Sequence, residues 1–256
     1  VAFPADDYIA RDLARSAGER LLTIRAEAQA AAAEDRRRAG DLGSQEYLAA
    51  ELARVRPDDA VLSEEAVDDK ARLAADRVWI IDPLDGTREF GEPGRSDWAV
   101  HVALWEAGDL TAGAVALPAQ GVVLSTAEPP PPPKPAAPGV PLKLVVSRSR
   151  PPEFVKRLAE HIGADLVPLG SAGAKASAVI TGDVDAYVHA GGQYEWDSAA
   201  PVAVARSAGL HTSRIDGSRL DYNSDQPWMP DILICPVSLA SLLLGAISAV
   251  RQAEGQ

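Results

Sequence analysis

The chain predicts an α/β protein in two lobes, α+β in the first and alternating α/β in the second. Three observations carry this. Apolar residues recur at helical spacing from Asp6 to about Gln29, at Ile9, Leu13, Ala17, Leu21 and Ile24. Polar and apolar residues alternate on both sides of "EAGD" in "WAVHVALWEAGDLTAGAVAL", the pattern of a β-hairpin. Beyond residue 141, strand-like and helix-like runs take turns to the end of the chain.

The elements follow in order. After the first helix, "AAAEDRRRAGDLG" is polar and charged, which predicts a mobile loop or hairpin; Arg36, Arg37 and Arg38 there are either a solvated run or contacts to a phosphate. A second helix is expected over residues 44–55, with Ser44 as N-cap and Tyr47, Leu48 and Leu52 turned inward. "AVLSEE" and "RVWIID" read as strands, the hairpin follows, and "VVLSTA" extends its sheet. "EPPPPPKPAAPGVP" favours polyproline II and reads as a surface linker. It divides an N-terminal lobe, 1–128, from a C-terminal lobe, 142–256, with 129–141 as the proline-rich loop of one compact unit. In the second lobe "LKLVVS", "DLVPLG", "VDAYVHA" and "DILICP" read as strands. "PEFVKRLAEHI", "SAGAKASAVITG", "WDSAAPVAVARSAG" and the C-terminal run read as helices.

Composition narrows the function. The 256 residues carry a net charge of −12, which excludes a nucleic acid polymer as partner, because a polyanion is bound by a basic surface. A small phosphorylated substrate stays open, since bound divalent cations reverse the local sign. The single cysteine, Cys235, lies in an apolar run, reads as a buried thiol and allows no intrachain disulfide. "LASLLLGAISAV" is too short to cross a bilayer, no signal peptide is visible, and a cytoplasmic protein without membrane contact is expected. A homodimer is one assembly this reading leaves open.

Acids gather at the ends of these elements. Glu64 and Glu65 end "VLSEE", Asp82 and Asp85 end "WIIDPLD", Asp197 sits in "EWDSAA" where it can cap a helix, and Asp41 precedes the second helix. Each alone is ordinary: an Asp-Gly pair marks a turn, a Glu pair is solvated, an Asp caps a helix. Together, with no His or Cys in the motifs, they form a hard-oxygen site suited to Mg²⁺ or Mn²⁺. Pro83 fixes the backbone, and Gly86 permits a turn tight enough for Asp82, the Leu84 carbonyl and Asp85 to face one point.

"WIIDPLDGTREF" closely resembles the D-P-x-D-G-T signature of the inositol monophosphatase superfamily, lithium-sensitive, Mg²⁺-dependent phosphomonoesterases. "WDSAA" resembles its second W-D signature, and the glutamate pair lies upstream at a similar spacing. The resemblance implies a layered αβαβα sandwich. It implies that Glu64, Asp82, Asp85, Asp197 and the Leu84 carbonyl ligate two or three Mg²⁺ ions, with Mn²⁺ able to substitute. Glu65 would then orient a water on the metal, and Thr87 with Asp41 would help deprotonate the attacking water. The chemistry stands without the family: two cations about 3.5–4 Å apart neutralise a phosphate dianion, activate a water and stabilise the leaving oxygen. Gly86 and Thr87, at a helix start, can offer N–H groups to the phosphate.

"DGTREF", with Glu89 before the Phe, is similar to the 3′(2′),5′-bisphosphate nucleotidases of the CysQ type, as are "VLSEEA", "LVVSRSR" and "EWDSAA". This branch removes the 3′-phosphate of 3′-phosphoadenosine 5′-phosphate to give AMP. Ser171, Lys175, Arg148 and Arg150 are candidates for the rest of that substrate, Ser171 and Lys175 being equally readable as a helix N-cap and a solvated lysine. The departures are "AEDRRRAGD" where the family has K-x-D-x-S-P-V-T, one residue more between Ser171 and Lys175, and Pro201 in the first turn of the Asp197 helix. Hydrolysis of inositol-1-phosphate or fructose-1,6-bisphosphate is the runner-up. A non-catalytic nucleotide- and metal-binding regulator is the reading from another class. His101 and His189 fall in strand patterns and read as structural, and Trp228 in "SDQPWMPD" is kept as a base-stacking candidate.

Overall fold

The structure is a computed structural model and describes residues 5–134 and 139–254. Residues 135–138 of the proline-rich tract lie outside the described residues; its remaining residues have no regular structure.

Helices α1 (Asp6–Glu27) and α2 (Ala33–Val55) come first. The first sheet follows: β1 (Ala60–Ser63), β2 (Arg77–Asp85), β3 (Ala99–Glu106), β4 (Asp109–Leu117) and β5 (Val122–Ser125), in that order across the sheet, β1 and β2 parallel and the rest antiparallel. A five-residue helix, α3 (Thr87–Gly91), follows β2 directly. The second half gives β6 (Lys143–Ser147), α4 (Glu153–Ile162), β7 (Asp165–Leu169), α5 (Ala172–Ile180), β8 (Ala186–Tyr194), α6 (Glu195–Ser207), β9 (Leu210–Ser213), β10 (Trp228–Pro236) and α7 (Val237–Glu254). Its sheet runs β7-β6-β8-β10-β9.

Side-chain alternation on β2 shows the layering. Trp79 and Ile81 pack with Leu13, Leu21, Leu48 and Leu52 of α1 and α2. Val78 and Ile80 face the other way, into a core shared with Val179 of α5, Val202 of α6 and Ile232 of β10. The outer face of the second sheet meets Leu158 of α4 and Leu243 and Ile247 of α7. The order is helix, sheet, helix, sheet, helix, an αβαβα sandwich. "VWII" is an unbroken apolar run because both faces of its sheet are covered.

Four local expectations are corrected. The polar stretch after α1 is helix: α2 begins at Ala33, eleven residues before Ser44, so Asp41 lies inside it. Its buried positions before Leu48 are Arg36, Gly40, Gly43 and Ser44, helically spaced but small or charged, and an apolar search passes over them. Ser44 is no cap; its hydroxyl donates to the Pro83 carbonyl at 2.7 Å and fastens the aspartate turn to α2. Asp197 is also no N-cap; it is the third residue of α6 and accepts from the Tyr194 N–H at 2.6 Å. Pro201 accordingly falls in the second turn of α6, past the first-turn N–H groups that have no helical acceptor.

Arg36 is a structural cation. Buried, it donates to the carbonyls of Gly91 at 2.5 Å, Ala28 at 3.2 Å, and Gln29 and Ala31 at 3.0 Å each. Arg36→Ala leaves these acceptors unpaired and should cost about 3 kcal/mol in urea unfolding. An unchanged midpoint would show that water replaces the guanidinium.

Candidate active site

The site forms where the two sheets' connections meet. A β-bulge interrupts the β2–β3 ladder between Asp82 and Asp85, and re-aims both carboxylates. Gly86 closes the turn at φ 82°, and a Cβ there would meet Ser171 at 3.0 Å. From the second half, α6 brings Asp197. Asp82, Asp85 and Asp197 each place a carboxylate oxygen within 4.8 Å of the others. Glu64, just past β1, is exposed, and its carboxyl is close enough to Asp82 to share a hydrogen bond with it. The Leu84 carbonyl accepts from Thr87 Oγ1 at 3.0 Å.

The electrostatics divide this cluster. Burial, then Glu64, Asp85 and Asp197, hold the Asp82 carboxyl well above the usual carboxylate range. Desolvation and Asp197 push Glu64 up to about 7, and desolvation and Asp85 push Asp197 up to about 6. Asp85 differs. Burial would raise it, but cations and donors win: the Ala172 and Gly173 N–H groups donate to it at 3.1 and 2.6 Å, as does the Ser171 hydroxyl. His101 Nε2 stands 3.2 Å from Asp85 Oδ2 and holds its carboxyl below the usual range. Burial would lower the imidazole, yet Asp85 and the Trp196 carbonyl, 3.0 Å from Nδ1, raise it. Buried carboxylates with too little internal positive charge, all of them hard oxygen donors, fit a divalent cation such as Mg²⁺ or Mn²⁺.

Beside the cluster opens a cavity of about 450 Å³, lined by Arg37, Arg38, Asp41, Gln45, Glu65 and Thr87. Thr87 Oγ1 stands 3.3 Å from Asp41 Oδ1. Burial first and the charge of Glu65 second push Asp41 up to about 6, against the pull of Thr87 and Arg37.

The structure separates the sequence-read residues. Glu64, Asp82, Leu84, Asp85, Asp197, Thr87 and Asp41 come together, with Glu65 on the same cavity. Lys175 is neither solvated nor at the surface: it is 6% exposed, donates to the Ser171 carbonyl at 2.6 Å, and has its pKa lowered by burial. Arg148 is held by Glu89 at 2.8 Å and Glu92 at 3.0 Å. Arg150 is exposed at the end of β6. Among the four basic and hydroxyl candidates, only Arg150 keeps its head group for solvent, since Ser171 caps α5 and donates to Asp85. His189 is structural, with Nε2 2.9 Å from the Gly192 carbonyl; His101, read as structural from its strand pattern, is likewise held at the Trp196 carbonyl and in addition faces Asp85. It stands directly across the ladder from Asp82, a register that the strand pattern alone does not give.

The profile of the inositol monophosphatase family matches residues 5–251. A Mycobacterium bovis protein named 3′-phosphoadenosine 5′-phosphate phosphatase is 53% identical over 240 residues, 91% of this chain and 89% of the relative. The 3′(2′),5′-bisphosphate nucleotidase CysQ of Escherichia coli is 31% identical over 75% of this chain and 81% of its own. The crystal structure of CysQ from Bacteroides thetaiotaomicron superimposes with a TM-score of 0.76, covering 91% of this chain and 98% of that one at 26% identity. A five-layer fold, an acidic turn on a bulged strand and near-full-length matches of this kind agree on one conclusion: the chain belongs to the inositol monophosphatase family and is a phosphatase.

Proposed function

We propose that the enzyme hydrolyses the 3′-phosphate of 3′-phosphoadenosine 5′-phosphate, releasing AMP and phosphate. The observation that carries this is the 53% identity, over nine-tenths of the chain, to a relative named for that activity. In this reading Glu64, Asp82, Asp85, Asp197 and the Leu84 carbonyl hold divalent cations, two or three Mg²⁺ with Mn²⁺ as substitute. When bound, they neutralise the phosphate dianion and acidify a water. The chain supplies the rest. Thr87 accepts the water's proton while handing its own to Asp41, 3.3 Å away, whose raised pKa suits a base near neutrality. Glu65, across the same cavity, orients the water. His101 fixes the charge and direction of Asp85.

Phosphate release from 3′-phosphoadenosine 5′-phosphate, inositol-1-phosphate and fructose-1,6-bisphosphate tests the reading. The nucleotide should lead in kcat/KM by at least about tenfold. Excess chelator should abolish release, and Mg²⁺ should restore it. Equal or better turnover of inositol-1-phosphate overturns the nucleotidase assignment, and full activity in chelator overturns the metal set. Nucleotide binding without phosphate release would leave a regulator. No helix among the described residues is long and apolar enough to cross a membrane.

A further inference from the structure

Three aromatic residues, Tyr194, Trp196 and Trp228, gather where β8 runs into the helix that carries Asp197, with no part in the chemistry above. Tyr194 ends β8, and its N–H donates to the Asp197 carboxylate. Its ring stacks on Trp196, centroids 4.7 Å apart and 10° from parallel, and meets Trp228 at 5.4 Å, nearly edge-on. Trp228 is the cross-strand partner of Tyr194 on β10. Its indole rests on Gly192, where a Cβ would come within 1.7 Å of the ring and where φ is 87°. Despite this packing Tyr194 is 45% exposed and Trp228 50%.

The rings are held firmly. The chain entering β10 is tied to α6: the Asn223 and Ser224 N–H groups donate to the Glu195 carboxylate at 2.7 and 2.9 Å, and the Glu195 N–H donates to the Pro227 carbonyl at 2.9 Å. Buried Arg72 holds the Asn223 side chain and the Ser224 carbonyl from the first half of the chain. Two large rings fixed in a half-exposed position form an ordered apolar surface at the strand end whose backbone binds Asp197.

Their position agrees with the direction of the reaction. In an in-line displacement the attacking and leaving oxygens lie on opposite sides of phosphorus. The pair that handles the attacking water, Thr87 and Asp41, comes from α3 and α2, against the first sheet. Tyr194 and Trp228 come from the second sheet and are joined to the cluster through the Tyr194 N–H on Asp197, so the leaving AMP is directed toward them. A base has a π-face that such rings accept, whereas an inositol or fructose ring has none.

We propose that Tyr194 and Trp228 are a stacking platform for the nucleobase of the substrate, and so determine specificity for a nucleotide. The proposal rests on the nucleotidase reading and is tested so that the two can fail separately. Trp228→Leu keeps an apolar side chain and removes the aromatic face. The ratio of kcat/KM for 3′-phosphoadenosine 5′-phosphate to that for glycerol 2-phosphate should fall roughly 10- to 100-fold, mainly through KM for the nucleotide. Trp228→Phe should restore most of it, and Tyr194→Leu should lower it as well. Without turnover, AMP should quench the tryptophan fluorescence of the wild type and not that of Trp228→Leu. Hydrolysis of the nucleotide with an unchanged ratio in both leucine variants overturns the platform and leaves the nucleotidase intact. Trp228-dependent quenching by AMP in a protein that does not hydrolyse the bisphosphate supports the platform and removes the assigned substrate.

Discussion

Asp82→Asn is expected to abolish most phosphate release and yet to raise the melting temperature of the metal-free protein, whereas Asp85→Asn should lower both. The two aspartates share a turn and a cluster, but their surroundings are opposite. The Asp82 carboxyl accepts from the Leu84 N–H at 3.0 Å and shares a hydrogen bond with Glu64. An asparagine oxygen keeps the first bond, its NH₂ donates to Glu64, and a buried like charge disappears. The gain should be roughly 1–2 kcal/mol, a few degrees for a chain of this size. Asp85 accepts on both oxygens, from Ala172, Gly173 and Ser171, and faces His101. An NH₂ in either position meets donors. The cost should be about 3 kcal/mol, because three buried donors and the His101 ring lose a charged acceptor. Either change should reduce Mg²⁺-dependent turnover by at least about 100-fold.

The pH dependence follows with its sign. Asp82, Glu64 and Asp197 have folded pKa values above the ordinary carboxylate range, so between about pH 4 and 7 the folded chain binds more protons than the unfolded one. Their contribution is present in full below the unfolded pKa and is lost as pH rises through the folded values. The protein in chelator should therefore melt lower at pH 7.5 than at pH 5, and Asp82→Asn should flatten that slope. Asp85, with its pKa depressed, acts in the other direction and adds stability above pH 4. An Asp82→Asn protein that melts lower in chelator and keeps its Mg²⁺-dependent rate would remove Asp82 from the metal set.

How much of this could be read in the sequence depended on what the burial was made of. β2 and the β3–β4 hairpin were legible because apolar runs and alternation are direct consequences of covered sheet faces. The start of α2 was not, because that face is buried through glycines, a serine and an arginine whose guanidinium is consumed by carbonyls. The acidic cluster could be listed because Glu64, Asp85 and Asp197 lie at or near the ends of elements, at the place where a side chain escapes the layers. Their inequality could not: it arises from the N-terminus of α5 and from His101 on β3, distant in sequence from the turn they control. The same applies to Lys175. Its motif suggested a surface cation for a phosphate, but α5 lies between the two sheets, and a side chain on its first turn is enclosed.

Thr87→Ala and Asp41→Asn should each lower kcat by about 10- to 100-fold with little change in KM, and Asp41→Asn should also flatten the acid limb of the pH–rate profile. The hydroxyl at Thr87 has one proton and two acceptors within reach, the Leu84 carbonyl at 3.0 Å and Asp41 at 3.3 Å. Only when the proton points to Asp41 is the oxygen's lone pair free to take one from water, so the pair works as a relay and its value lies in the transition state. Asp41 has a pKa of about 6 because it is buried and faces Glu65. A base must be ionised to act, so kcat should rise with pH up to about 6 and level off above it. Substitution of Glu65 by Gln removes the neighbouring charge and should move that limb to lower pH. If Thr87 is merely the first residue of a short helix, Thr87→Ala will lower the melting temperature and leave kcat and the limb near 6 in place. A drop in kcat at an unchanged melting temperature, with the limb lost in Asp41→Asn, assigns the pair to the attacking water.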